Sequence, residues 1–255
     1  MAHPPRSTRL PLTSVPSSGF KSFLDAPVHT DLASLQADVA VIGIPYAIPY
    51  DMGQSRSASA PAYLREKSSR LARATMSHVG FDRGQAPGDL SRMRIVDCGD
   101  VPFDPLDIRG GVERATAAVQ AILNRGAVPL VFGGDDAVPI PVLRAYAHHG
   151  PLVVIQIDEH LDWAEDRHGV TEGYSSPMRR ISEMPWVKQT IQVGLHAFGS
   201  ADQLKDARAA GNILITAQEV HLKGVPAILD LIPAGENYFI TVDMDGFDTA
   251  FMPAV

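Results

Sequence analysis

Three clusters of acidic side chains each follow an apolar run of the sequence. The clusters are Asp135 and Asp136, then Asp158, His160 and Asp162, then Asp243, Asp245 and Asp248. Like charges this close together repel strongly in a cleft of low dielectric, and a bound cation is the simplest remedy. Carboxylates with one imidazole suit a hard or borderline divalent ion such as Mn²⁺. The number of ligands is too large for one catalytic ion that keeps an open position, so we predict two.

The spacing of the ligands supports a shared site. Side chains at alternate positions of an extended chain point the same way. Asp158, His160 and Asp162 can therefore share one face, and Asp243 and Asp245 can do likewise. Asp248 is better explained as a turn residue than as a ligand, because Asp is common in turns for its own backbone hydrogen bonding.

Seven apolar runs indicate the strands that position these side chains. They are 39–45, 94–100, 127–134, 152–158, 190–195, 213–217 and 238–243. Helical patterns lie between them, at 109–126 and at 200–211, and the second ends in Gly211 as helix C-termini often do. Continuous apolar strands joined by helices predict a mostly parallel α/β sheet covered on both faces, with ligands at the carboxyl ends of its strands.

The composition excludes several classes of protein. A net charge of −7 over 255 residues gives no cationic field for nucleic acid or anionic membrane, and no apolar run could span a bilayer. The one cysteine, Cys98, fits a reducing compartment, so we expect a cytoplasmic protein. Residues 1–20 are rich in Ser and Pro and predict a flexible arm rather than a transit peptide, because the prolines disfavour an amphipathic helix. Residues 21–255 predict a single domain.

Three motifs resemble those of the ureohydrolases, the arginase and agmatinase family. They are "GGDD" (133–136), "IDEHLDW" (157–163) and "TVDMDGFD" (241–248). The likeness is closest to agmatinase-like members. It implies a three-layer α/β/α fold and hydrolysis of a small cationic guanidino substrate to urea and an amine, in a homo-oligomer with two Mn²⁺ ions per chain.

The resemblance also assigns a role to each ligand. Asp158 and Asp243 would bridge the two ions. His160 and Asp245 would hold one ion, while Asp136 and Asp162 would hold the other. Asp162 would also orient the attacking water and accept its proton.

The sequence departs from the family pattern at three positions within these motifs and near them. Asp136 replaces a metal-binding His, which should weaken one ion. Glu159 replaces a small residue, and is either a partner of the ligands or a solvated side chain. Ser175 occupies the position of the family's proton-shuttling His. The nearby loop residue His168 is therefore the candidate for that role, and the alternative is that His168 is simply solvated.

The fourth departure is that the sequence ends at "FMPAV", soon after the third motif. Family members continue, with a last strand that inserts beside the one ending in Asp243 and an acidic residue that holds the guanidinium. We therefore expect the natural product to extend beyond Val255. Residues 1–255 alone should be poorly stable, poorly active, or dependent on further chain or a partner subunit, because an uncovered apolar strand edge favours aggregation.

Two other functions stay open. The altered residues could belong to a non-catalytic homologue with a structural or regulatory role. Alternatively, Asp158, His160 and Asp245 could hold a single metal, as in the deacetylases that resemble this fold. Metal content separates these hypotheses. Arg179 and Arg180 could bind a substrate carboxylate, or they could form a salt bridge at the surface or at a subunit interface.

Overall fold

The computed structural model describes residues 10–15, 19–46, 56–72, 92–104 and 107–253. The chain forms two compact units, Met1–Ala145 and Tyr146–Val255. Each unit contains one parallel sheet with α-helices in the connections between its strands. The α/β class and the parallel strands predicted from the sequence are therefore confirmed.

The first unit has a three-stranded parallel sheet in the order β2-β1-β3. Its elements are β1 (Val39–Ile44), α1 (Ala60–Ser68), β2 (Ile95–Asp100), α2 (Ile108–Asn124), β3 (Val128–Gly133) and α3 (Pro139–Arg144). The central strand β1 is buried on both faces from its second residue onward, as a covered parallel strand should be. The other side of β2 is partly covered by the segment around Val28, which pairs with Asp97.

The second unit has a four-stranded parallel sheet in the order β6-β5-β4-β7. Its elements are β4 (Leu152–Ile157), α4 (Pro177–Ser182), β5 (Val187–Leu195), α5 (Ala201–Ala209), β6 (Ile213–Thr216), α6 (Ala217–Leu229) and β7 (Tyr238–Val242). Its apolar core consists of Val153, Ile155, Ile191, Ile215 and Ile228. Burying each such side chain stabilises the fold by roughly 1.5–3 kcal/mol, which anchors β4 at the centre of the sheet.

Helix boundaries follow local sequence signals. Asp107 caps α2 by accepting a hydrogen bond from the Gly110 N–H at 3.0 Å. Thr216 and Glu219 form a reciprocal capping box at the start of α6. The helix α5 ends at Ala209, two residues before Gly211, and the φ of 87° at Gly211 is the left-handed conformation that glycine often adopts just after a helix.

All seven apolar runs form strands, with bounds within a few residues of those predicted. β7 is a terminal strand of its sheet, and Ile240 on it is 61% exposed. The further strand expected beside β7 stays a prediction.

The predicted N-terminal arm is described in part. Residues 1–9 and 16–18 lie outside the described residues. Of the remainder, Thr13 is buried and Ser14 pairs with Asp100. The division into an arm and one domain, the cytoplasmic location and the homo-oligomer stay predictions. Among the described helices, none combines the length and the apolar character needed to cross a bilayer.

Candidate metal centre

Asp158 stands directly after β4, at the carboxyl end of the strand, and is 1% exposed. Its Oδ1 accepts a hydrogen bond from the backbone N–H of His160 at 2.6 Å. Its Oδ2 accepts one from the Gln156 side-chain amide at 2.7 Å. These two donors hold the carboxylate in one orientation, as a buried charge requires.

The third acidic cluster lies against the end of β4. The N–H of Asp243 donates to the carbonyl oxygen of Ile157 at 2.9 Å, which extends the β4–β7 pairing by one residue. Asp243 then caps a 3₁₀ turn at Met244–Gly246. A Cβ at position 246 would lie 2.8 Å from the Asp158 nitrogen, so this close approach requires glycine.

His160 completes a group of three ligands. Its Nδ1 lies 3.1 Å from Asp245 Oδ2 and 3.6 Å from Asp158 Oδ1. One ligand atom from each of Asp158, His160 and Asp245 lies within 4.8 Å of the others. Two carboxylate oxygens and one imidazole nitrogen at this separation fit a divalent cation of the Mn²⁺ type.

The buried side-chain amide of Gln156 connects Asp162 to Asp158. Gln156 Nε2 donates to Asp162 Oδ2 at 2.7 Å as well as to Asp158. Asp162 has a φ of 50°, a left-handed conformation that Asp tolerates better than most residues. Both amide hydrogens of Gln156 are thus used to fix two of the predicted ligands at one site.

The carboxylates of the centre raise the pKa values of their neighbours. Burial and the Asp158 charge raise the pKa of Asp243. Burial and the Asp243 charge raise the pKa of Asp245 to about 6. The hydrogen bond to Asp158, together with the surrounding carboxylates, raises the pKa of His160 to about 9. The centre therefore attracts a positive charge, whether a proton or a metal cation.

Asp136 lies in the first unit, in the turn that follows β3, and is half-buried. The turn is shaped by its neighbours: the Asp135 N–H donates to the Tyr46 carbonyl at 2.8 Å, and Gly134 packs against the Tyr46 backbone. Asp135 also accepts a hydrogen bond from the Ala137 N–H. The place of Asp136 as a ligand of a second ion stays a prediction.

The remaining candidates lie in loops and helices of the second unit. His168 is exposed, with a φ of 54°, and its role as proton shuttle stays a prediction. Arg179 forms salt bridges with Glu165 and with Asp206, the latter at 2.9 Å. Of the two interpretations of Arg179, these contacts favour the salt bridge.

Two residues of the centre went unrecognised in the sequence. Gln156 and Gln192 are fully buried, occupy paired positions of β4 and β5, and share a 2.6 Å hydrogen bond. A signal was present, because Gln156 interrupts an apolar run and lies two positions before Asp158, on the same face of the strand. The pairing with Gln192 depends on the strand register, which the sequence does not specify.

Parallel α/β sheets with carboxylates and an imidazole gathered at a strand end characterise several metal-dependent hydrolases. Residues 37–255 match the Arginase family, and the chain belongs to that family. The family comprises hydrolases of guanidino and amidino C–N bonds that depend on a binuclear metal centre.

Individual relatives support the same assignment. The chain is 32% identical to proclavaminate amidinohydrolase of Streptomyces clavuligerus over 226 residues, which cover 85% of this chain and 69% of that protein. It is 32% identical to guanidinopropionase of Pseudomonas aeruginosa over 248 residues, which cover 92% of this chain and 73% of that protein.

Solved structures confirm the arginase-like fold class. The structure of proclavaminate amidinohydrolase aligns with a TM-score of 0.75 at 28% identity, covering 91% of this chain and 76% of that one. A structure of Trypanosoma cruzi formiminoglutamase with Mn²⁺ aligns with a TM-score of 0.74 at 27% identity, covering 88% and 77%.

Proposed function

We propose that the chain is an agmatinase-like ureohydrolase that hydrolyses a small cationic guanidino compound to urea and an amine with two Mn²⁺ ions. One observation carries the proposal: ligand atoms of Asp158, His160 and Asp245 lie within 4.8 Å of one another at the end of a parallel strand. Membership of the Arginase family gives this cluster its chemical interpretation.

The residues of the second unit have distinct parts in the proposed reaction. The ions, when bound, supply Lewis-acid activation of water and of the substrate. Asp158 and Asp243 would help to hold both ions, and His160 and Asp245 would hold one of them. Asp162, fixed by Gln156, would orient the attacking water and accept its proton. The second ion would take Asp162 and Asp136 as its ligands.

The charge of the centre suits a guanidinium substrate. A guanidinium is permanently cationic and presents a planar set of donors, so a pocket lined by carboxylates attracts it. The names of the two curated relatives refer to an amidino and to a guanidino compound, which supports the class without choosing a member.

A urea-release screen tests the proposal. The purified protein, loaded with Mn²⁺, is incubated with guanidino amines, including agmatine, and with guanidino acids, and urea is measured. We expect release from at least one compound, and its loss after removal of the metal by a chelator. Metal-bound protein that releases urea from none of them would refute the proposed activity.

A second candidate is a hydrolase with a single metal ion. Asp158, His160 and Asp245 all belong to the second unit, and three protein ligands are the usual number for one catalytic ion. The number of Mn²⁺ ions bound per chain at saturation separates the two candidates. Two ions support the ureohydrolase, whereas one supports this alternative.

Mn²⁺ binding should strengthen as the pH rises. Metal ligands must be deprotonated, and in the metal-free protein the pKa values of Asp245 and His160 are raised to about 6 and about 9. Between these values His160 must release one proton when the ion that it holds is bound, so log K for that ion should increase by about one per pH unit and level off above pH 9. Calorimetric titrations at several pH values measure this slope. An affinity independent of pH would contradict the assignment of His160 as a ligand.

Asp136→His should raise the occupancy of the weaker ion. The variant restores the nitrogen ligand that the family has at this position, and imidazole suits Mn²⁺ alongside carboxylates. A tenfold gain in affinity would correspond to about 1.4 kcal/mol. Equilibrium dialysis measures the two affinities, with Asp136→Asn as the matched control that should weaken the same ion. Equal stoichiometry and rate in all three proteins would show that position 136 does not bind metal.

A further inference from the structure

Glu159 lies between two histidines, and its two carboxylate oxygens face different rings. Oε2 is 2.9 Å from His196 Nε2, and Oε1 is 3.4 Å from His160 Nε2. His196 Nδ1 in turn lies 2.7 Å from the carbonyl oxygen of Gly194. Each ring nitrogen of His196 therefore lies within hydrogen-bond distance of an oxygen atom, and a neutral ring can donate to one of these two oxygens at a time.

The main chain at Glu159 joins the loops that carry these side chains. Its carbonyl oxygen accepts hydrogen bonds from the N–H groups of His196 and Ala197, at 3.0 Å and 3.1 Å. Its own N–H is directed at Asp245 Oδ1 at 3.4 Å. Because the two loops are tied together, the Glu159–His196 pair loses less side-chain entropy than a pair between independent surface residues.

The orientation of His160 gives Glu159 its significance. Nδ1 of His160 faces the carboxylates of Asp245 and Asp158, so Nδ1 is the nitrogen directed at the proposed ion. Nε2 faces Glu159 on the other side of the ring. A histidine that binds a metal usually donates its second ring N–H to a carboxylate, which fixes the tautomer and the orientation of the ring.

We infer that Glu159 is a positioning residue for His160, and that His196 in turn holds the Glu159 carboxylate in place. Glu159 accepts the Nε2–H of His160 and so presents Nδ1 to the ion, while the Nε2–H of His196 donates to the same carboxylate and keeps it beside the His160 ring. The inference rests on the proposed metal centre. It assigns a task to Glu159, which the sequence left between a partner of the ligands and a solvated side chain.

A solvated surface pair is the alternative, since Glu159 and His196 are 29% and 45% exposed. Such a pair would contribute little to stability and nothing to metal binding. The two interpretations therefore differ in their effect on metal affinity and agree in predicting little effect on folding. Metal affinity is the quantity to measure, and it can be determined without substrate.

The test is Mn²⁺ binding to the whole chain, followed by the electron paramagnetic resonance signal of free Mn²⁺. Glu159→Ala should weaken the ion held by His160 by about 10–100-fold and leave the other ion nearly unchanged. Glu159→Gln should lie between this variant and the wild type, because its amide oxygen can still accept the His160 Nε2–H. Lys223→Ala, which removes an exposed Lys–Glu pair of 2.9 Å in the same unit, is the matched control.

A double-mutant cycle tests the part assigned to His196. His196→Ala should weaken the same ion in the wild type but have no further effect in the Glu159→Ala background, because it acts through Glu159. Unchanged Mn²⁺ affinity in Glu159→Ala and His196→Ala, with a wild type that binds the metal, would overturn the inference and leave the ureohydrolase standing. Weakened binding in variants of a protein that releases no urea would support the inference while the proposed function fails. A wild type that binds no metal would overturn both.

Discussion

Asp158→Asn should abolish binding of Mn²⁺ and lower urea release on the order of a thousandfold. The variant keeps the size of the side chain and loses the buried charge that the proposed centre shares between both ions. Metal activation of water contributes several kcal/mol, and a loss of about 4 kcal/mol corresponds to about a thousandfold in rate. Metal content by mass spectrometry and urea release measure the two effects separately.

The stability of the metal-free protein makes this experiment decisive. Asp158 repels Asp243 and Asp245 in the empty centre, but it also attracts the protonated His160 ring and accepts two hydrogen bonds, so its replacement has opposing effects on the metal-free fold. Thermal unfolding of both metal-free proteins must show that Asp158→Asn is folded at the assay temperature, so that a loss of metal reports on the site. Asp166→Asn, an exposed acid in the loop after β4, is the control and should retain metal and rate. Normal Mn²⁺ binding in Asp158→Asn would refute the site.

The strands could be predicted from the sequence because their burial requires continuous apolar runs. A parallel strand covered on both faces must be apolar throughout, so runs such as 39–45 and 152–158 stand out from their surroundings. The short helices α3 and α4 could not be predicted in this way. Each has six residues and begins with proline, and six residues are too few to show a helical period.

The acids of the centre could be predicted for a similar reason. Asp158 and Asp243 follow strands directly, and the carboxyl ends of parallel strands lie at the same edge of a sheet. Glu159 and His196 could not be paired in advance, because they are 37 positions apart and their contact depends on loop geometry. Gln192 likewise meets Gln156 through the register of β4 and β5.

Arg65→Met should destabilise the first unit by about 3–5 kcal/mol, the cost of removing one partner from a buried ion pair. Arg65 is 1% exposed and lies within 4.9 Å of the Phe20 ring. Its Nε and Nη2 donate to the two carboxylate oxygens of Asp97 at 2.8 and 3.0 Å, and its Nη1 donates to Asp100. Methionine fills much of the same volume but leaves both carboxylates buried without their cation.

The matched control is Arg109→Met. Arg109 is 92% exposed and pairs with Glu113 one turn along α2, so its loss should cost no more than about 0.5 kcal/mol. Chemical denaturation of the metal-free protein measures both variants. Equal stability of the two would show that the Arg65 cluster does not stabilise the fold.

The pH dependence identifies the cause of the effect in Arg65→Met. Burial raises the pKa of Asp100, and Arg65 opposes that rise. Without Arg65 the pKa should rise further, so the folded variant holds a proton at pH values where the unfolded chain has released it. Stability then falls as the pH rises through this window and recovers on acidification. The difference in free energy of unfolding between wild type and Arg65→Met should therefore become smaller toward low pH. A difference caused by lost packing alone would be the same at every pH.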